Sequence, residues 1–453
     1  MKFAFSQPFG CQIRLLNQIH LFMKKLFTLS IIFISFSLSS CFRDECISHR
    51  TFVRLDPIYK TVEALRAEVK VTLGKELKNP AKIYVYKDYL LINEVNEGIH
   101  IYDNSKPSDP KNITFINIPG NRDMAIKENI LYADNAIDLL AIDLSDLTAP
   151  KVLKRLDAVF GRSFGWNTQW ANNPILVGYN QTTETQVLDC TDPNFNLGFF
   201  SNGGGLWFNR AALDASRAQS APSKAGGATA ATGIGGSMSR FGIVDKYLYG
   251  IDQSDLHVIY IDDPKNPKQG KSISVSWNIE TLFPYKDKLF IGAQTGMFIM
   301  ENKNPESPYL LSSFTHARAC DPVYVDGDIA YITLKQGTTC QNTINELDVV
   351  DIKNITSPRL IKRYPMSNPA GLSILDNTLY LCESSFGLKL FNVKDVNTID
   401  KNLLSHLTSF HAYDVIVLDK SQIIVTGDDG IRQLDASDPK NIKSISVIPV
   451  VKS

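Results

Sequence analysis

The sequence is poor in the residues that catalytic and metal centres need in clusters. Of 453 residues, 7 are cysteine, 7 histidine and 4 tryptophan. There is no Cys-x-x-Cys pair and no Cys/His spacing suited to zinc, so no metal is expected. G-x-S-x-G, H-E-x-x-H, the Walker loop and G-x-G-x-x-G are all missing, so no catalytic residue and no cofactor is assigned. Excess charge is lacking too: 47 basic residues balance 47 acidic ones. An interspersed, neutral balance offers nothing to nucleic acid or to an anionic membrane surface. The apolar run Leu26–Leu38 is too short to span a bilayer comfortably.

That run has the flanks of a targeting signal. Met23-Lys24-Lys25 is a positive start, and Leu38-Ser39-Ser40-Cys41 closes the stretch. The tetrapeptide resembles the bacterial lipobox, in which the cysteine is lipidated and the signal removed just ahead of it. Cys41 is the expected lipidation site, and the membrane, held through an N-terminal lipid, the expected first partner. Residues 1–22 lie upstream of a complete signal, which fits a start codon assigned too early. Phe42-Arg43-Asp44-Glu45 is similar to the surface-export signal of Bacteroidetes lipoproteins. The expected location is extracytoplasmic, as an outer-membrane lipoprotein exposed at the surface. Disulfides persist in such a compartment. Cys320 and Cys340 flank a hairpin-like stretch in one repeat and are the expected pair; two unpaired buried thiols are the alternative.

The rest of the chain repeats itself. GIHIYDNSKPSDP (Gly98–Pro110) is an alternating apolar strand ending in an acid, with prolines at fixed offsets. Related segments begin at Leu139, His257, Gly296, Leu347, Gly387 and Gly430, and a degenerate TQVLDCTDP runs from Thr185 to Pro193, making eight copies. Their spacing of about forty residues marks a repeat architecture. Residues 321–363 show one whole unit: DPVYV, a turn at Asp326-Gly327, IAYITL, a loop, LDVVDI, and RLIKRY after Pro358. Polar pairs stand at the same hairpin position elsewhere: Lys87-Asp88, Glu128-Asn129, Asp245-Lys246, Lys286-Asp287, Asp376-Asn377 and Asp419-Lys420. Four short strands per unit is the pattern of a propeller blade. The expected fold is all-β, a single β-propeller of about eight four-stranded blades, with seven as the alternative.

The acid of each copy (Asp103, Asp143, Asp189, Glu301, Asp351, Asp435) is placed to cap an Asx-type turn, and the prolines end strand pairing. Tyr260 and Asn392 take the acid's place in two units. A calcium-like reading is weaker, because each copy offers one carboxylate to its own turn. From Asn194 to Arg240 the period breaks into Gly-, Ala- and Ser-rich sequence. The expected division is a signal peptide at 23–40, lipidated cysteine, tether and lead-in at 41–80, and propeller at 81–453 with a flexible insertion at 195–239. Thr61–Lys70 reads as a short helix in the lead-in.

Beyond the single strand LDVVD, the stretches at Ile92–Pro110, Ile116–Asp146, Gly233–Asp252 and Ala319–Cys340 resemble the LVIVD-repeat lipoproteins of Bacteroidetes. The resemblance covers nearly all of 81–453. It implies a β-propeller at the cell surface and carries no catalytic residue. The Asp-box of sialidase propellers and the Trp-Asp pattern of WD40 blades are absent.

Aligning the units puts Lys82, Asp123, Asn167, Arg240, Glu280, Asp321, Gly371 and Asp414 at the starts of the innermost strands. His316 and His411 lie just upstream of Asp321 and Asp414, and Arg122 precedes Asp123. One reading makes Lys82, Asp123, Arg240, Glu280, His316, Asp321, His411 and Asp414 a ligand-binding channel mouth. The other makes them a mixed-charge ring whose members cap turns and pair with one another. Trp277 is expected in the core between blades; Trp166, Trp170 and Trp207 are left open. The function expected is non-catalytic binding or scaffolding with a protein, peptide or glycan partner. Alternatives are a hydrolase or lyase acting on polysaccharide, and an accessory subunit of an outer-membrane complex.

Overall fold

The computed structural model describes residues 47–161, 174–189, 199–202, 205–209, 234–235, 237, 239–316, 322–335 and 344–451. The chain forms two compact units, residues 1–50 with 186–195, and residues 51–185 with 196–453. In the smaller unit the described residues, 47–50 and 186–189, are extended. The larger unit holds the repeats. Helix among the described residues is limited to Val62–Ala67 and a 3-10 turn at Ile399–Lys401. The first of these is the expected lead-in helix, and Thr61 Oγ1 caps it by accepting from Ala64 N–H at 3.2 Å.

Seven antiparallel blades of four strands each make the propeller, the sheet of the first being extended to six by Lys70–Leu73 on its outer edge and Ile234–Gly235 on its inner edge. They occupy residues 80–117, 124–156, 241–274, 279–315, 323–365, 372–407 and 414–449. Each is one contiguous stretch of chain, and consecutive strands pair in order from the innermost outward. The expectation of eight is corrected to seven. The degenerate copy at Thr185–Pro193 builds no blade. Its described part ends the strand Ile175–Asp189, which joins a separate sheet with Ile47–Lys60, Gly205–Asn209 and Phe199–Asn202. The registered pairs of that sheet run from Phe52↔Asn209 to Leu55↔Leu206. An acid and a proline do not suffice for a blade; among the described residues the copy sits at the end of one long strand, with no hairpin ahead of it to supply the inner two strands.

An isolated blade cannot bury both faces, so the apolar faces meet between blades. Buried clusters join blades 1 to 3, 3 to 4, 4 to 6 and 6 to 7, and a further one closes blade 7 on blade 1. No strand is shared at that closing seam. It is held by the Ile83–Ile431 cluster, by Val451 N–H donating to Leu77 O at 2.8 Å, and by Asn104 and Gln433 exchanging amide bonds at 3.0 and 2.6 Å.

The repeated motif does the work of a clasp. The expected turn forms: Asp103, Asp143, Asp351 and Asp435 accept from the backbone N–H two residues on at 2.8–2.9 Å. Asn392 accepts its bond at 3.0 Å and Glu301 at 3.2 Å, so the geometry outlasts the change of side chain. The turn aims the carbonyl four residues after the acid at the preceding blade. Thr114 Oγ1 donates to Leu147 O (2.7 Å), Tyr132 OH to Pro264 O (2.8 Å), and Tyr249 OH to Pro305 O (3.0 Å). Ser312 Oγ donates to Ile355 O (2.6 Å), Tyr364 OH to Val396 O (2.5 Å), and Ser446 Oγ to Pro107 O (2.6 Å). In every blade a bulge also interrupts the pairing of third and outer strands, as between Val349 and Val350. Such bulges add the twist that a radial sheet needs.

Trp277 is not core. It is 69% exposed, in the connection that leaves blade 3 for blade 4. Tyrosines of the blades, not tryptophan, fill the gaps: Tyr132, Tyr249, Tyr364 and Tyr380 are fully buried. Of the other tryptophans, Trp207 lies in strand Gly205–Asn209, and Trp166 and Trp170 fall outside the described residues.

Candidate functional site: the channel mouth

Antiparallel order puts inner-strand starts, second-to-third turns and interblade connections on one face. That face carries the candidate residues that are described. Lys82 begins close to the channel on blade 1 and Asp123 on blade 2, and both are buried. Lys82 Nζ stands 2.9 Å from Asp123 Oδ2. Burial pulls the Lys82 amine below its usual range, while Asp123 favours the charged form. Asp123 also accepts from Met124 N–H at 2.7 Å, from Phe241 N–H at 2.9 Å and from Arg240 N–H. Arg240 therefore meets Asp123 through its backbone.

Directly behind, Asp134 accepts from Asn121 Nδ2, Arg122 N–H and Asp123 N–H at 2.8–2.9 Å. Burial still holds its carboxyl above the usual range, and burial with the nearby Arg240 charge brings Arg122 down to about 10. Arg122, Asp123, Asp134, Phe160, Arg240 and Asp252 enclose a cavity of about 20 Å³, room for a single water.

Asp414 lies on blade 7, next to blade 1 in the ring, and is likewise buried. Burial pushes its carboxyl well above the carboxylate range. Ser237 Oγ donates to one oxygen at 3.2 Å, and the other has no hydrogen-bond partner among the described residues. Gly371 makes room for it: a Cβ there would sit 1.8 Å from Asp414 Oδ1.

The remaining candidates do not join this group. Glu280 accepts from Gln294 Nε2 at 3.0 Å within blade 4. His316 is buried, and its ring lies 6.4 Å from that of Phe314. His411 Nδ1 is 2.9 Å from Asp428 Oδ2, which Tyr413 OH also reaches. Asp321, Asn167, the lipidation site Cys41 and the pair Cys320 and Cys340 lie outside the described residues. Cys382 is a buried free thiol.

Sequence reasoning missed a second set of charges on this face. Glu94 pairs with His100 at 2.9 Å, Asp252 with His257 at 3.0 Å, and Glu383 with Lys389 at 3.0 Å. Asp138 takes Arg66 at 2.8 Å and Arg155 at 2.9 Å, and Asp348 stands 3.4 Å from Arg363. Asp252 is the best supported. Burial opposes its charge, but bonds from His257 and from the N–H groups of Ser254, Asp255 and Gly161 hold it well below the usual range. A signal was available: two residues after Gly98, Asp255, Glu346, Gly387 and Gly430, at or next to the third-strand starts, stand His100, His257, Asp348, Lys389 and Arg432. No group of three or more His, Cys, Asp or Glu side chains suited to a metal occurs among the described residues.

These features define a seven-bladed, all-β propeller with a polar, internally paired channel mouth. The chain carries the LVIVD repeat, matched over residues 120–157 and 317–365. No curated protein matches it. Among solved structures it is similar to a functionally unknown protein from Desulfotomaculum acetoxidans, with 12% identity, TM-score 0.47, and 81% of this chain and 95% of that one covered. It is similar to a Lactobacillus plantarum protein with 11% identity, TM-score 0.46 and coverage of 80% and 95%. Sqt1 of Saccharomyces cerevisiae shares 8% identity, TM-score 0.46 and coverage of 82% and 86%.

Proposed function

We propose that this chain is a lipid-anchored, extracytoplasmic propeller that binds a protein, peptide or glycan partner at the cell surface without chemistry. The observation that carries this reading is the fate of the channel charges. Lys82 and Asp123 form a buried ion pair, and Asp123 and Asp134 accept from backbone N–H groups. A general acid or base must reach a substrate proton, and groups committed in this way do not. The connections of the same face are left to meet a partner, and they expose Trp277 and Phe386. Aromatics with an apolar body are favoured contacts for proteins and sugars.

Anchoring rests on the Lys-Lys, apolar run and Leu-Ser-Ser-Cys sequence, and surface display on Arg43-Asp44-Glu45. A Cys320–Cys340 bridge belongs to the same extracytoplasmic reading. In cells, Cys41→Ala should abolish palmitate labelling; continued labelling refutes the anchor. The purified full chain should hold a partner from the membrane or glycan fraction, with Trp277→Ala weakening capture about tenfold at unchanged melting temperature. Cleavage on a polysaccharide panel, lost in His411→Ala, would overturn the binding reading in favour of a hydrolase or lyase.

A further inference from the structure

The inner edge of a propeller's first strand ordinarily faces an open channel. Here it does not. Ile234 and Gly235, on the return leg of the insertion, pair antiparallel with Val85 and Tyr84 of blade 1's innermost strand. Ser237 follows, itself buried. Its Oγ accepts from Leu372 N–H of blade 6 at 2.9 Å and donates to Asp414 Oδ1 of blade 7 at 3.2 Å. Ser239 Oγ, which donates to Phe241 O at 2.6 Å, lies 3.3 Å from Asp123 Oδ2 of blade 2, and the Ser239 carbonyl accepts from Leu282 N–H of blade 4 at 2.7 Å. Arg240 O accepts from Ile251 N–H of blade 3 at 3.0 Å.

We propose that Ile234, Gly235, Ser237, Ser239 and Arg240 are an internal ligand of the ring, a strand seated in the channel that locks the seam between blades 7 and 1. Three observations meet here. Among the described residues the seam has no shared strand, the usual device by which a ring of blades is closed, and its two sides are joined there by side-chain contacts and one terminal backbone bond. The seated residues bond to blade 1 on one side of the seam and to blades 6 and 7 on the other. The receptor is chemically specific: a strand edge for backbone, an N–H at Leu372, and at Asp414 a carboxyl whose buried setting favours a hydroxyl partner over a charged one. Such a groove fits an extended, small-residue, serine-containing peptide, and the chain supplies its own. The inference goes beyond partner binding: any partner must engage the rim or displace this segment.

The test is hydrogen exchange read by mass spectrometry on the full chain, with thermal unfolding alongside. Ser237→Ala should raise exchange about tenfold in 82–86, 372–375 and 414–419, leaving blades 3 to 5 unchanged. Ser237→Thr, which keeps the hydroxyl, should retain protection. Asp414→Asn should also retain it, because an amide oxygen accepts the same bond without a buried charge. The proposal is overturned if Ser237→Ala leaves all three segments unchanged, or loosens every blade equally, which would mark general instability. Equal loosening by Ser237→Thr or Asp414→Asn would also overturn it.

Discussion

At the scale of residues, the ring holds carboxylates in opposite senses, and pH separates them. Asp348 is fully buried, neither of its oxygens has a well-formed hydrogen bond, and Arg363 Nε stands 3.4 Å away. Burial and the neighbouring Glu346 push its carboxyl up to about 6. In the unfolded chain it titrates near the usual value of about 3.9. The folded state holds this proton more tightly, so its advantage is full below the unfolded value and lost as pH rises through about 6. Asp348→Asn should therefore be more stable than the parent by about 1–2 kcal/mol at pH 8, the difference shrinking toward zero near pH 4. Urea unfolding at the two pH values checks this; a variant less stable at pH 8 would contradict it. Asp252 has the opposite sign: its contribution is present above the unfolded value and lost as pH falls below about 4. The sequence made the acids visible but not their burial. Asp348 and Asp351 share one strand, yet one is buried beside Arg363 and the other caps an open turn.

At the scale of elements, the recurring acid is a structural part whose purpose becomes visible four residues downstream. Asp143 accepts from Ser145 N–H at 2.8 Å and from Asn129 Nδ2 at 2.8 Å, and the turn it sets presents Leu147 O to Thr114 of the previous blade. Asp143→Ala should cost about 1–2 kcal/mol, since it removes the turn and misaims a buried acceptor. Asp143→Asn should cost well under half of that, as Asn392 already fills the position in blade 6. Chemical denaturation of both variants distinguishes the two outcomes; equal losses would mean that charge, not turn geometry, matters. The strand motif and its turn were legible because period-two alternation and Asx chemistry are local. The clasp was not, because its donor lies one blade away. The motif also overcounted. Hairpin turns numbered seven in the sequence while motif copies numbered eight. The turn is the better census, because it requires two paired strands and the acid requires only one.

At the scale of the whole molecule, closure is the weak point and the informative one. Gln433 is fully buried; it exchanges bonds with Asn104 and donates to Pro107 O at 3.1 Å, spanning blades 7 and 1. Gln433→Ala leaves the Asn104 amide buried without its partner and should cost about 2–3 kcal/mol. Differential scanning calorimetry should show the loss as a lower single transition; an unchanged transition would mean that the seam contributes nothing to cohesion. Contacts of this kind had no sequence signal: the two residues are 329 positions apart, and although both lie in copies of the motif, nothing in it says which copies meet. The insertion was legible as a break in period, but not its destination. Gly- and Ser-rich composition reads as loose chain, and only the groove in the ring makes a strand of part of it.

One consequence concerns time. Ser237 finds its partner Asp414 a further 177 residues along the chain. At ordinary synthesis rates of about 5–20 residues per second, that separation is a wait of roughly nine to thirty-five seconds. Until blade 7 emerges, the serine has no carboxyl to meet, and a half-made ring with an exposed inner edge is the species that chaperones and proteases see.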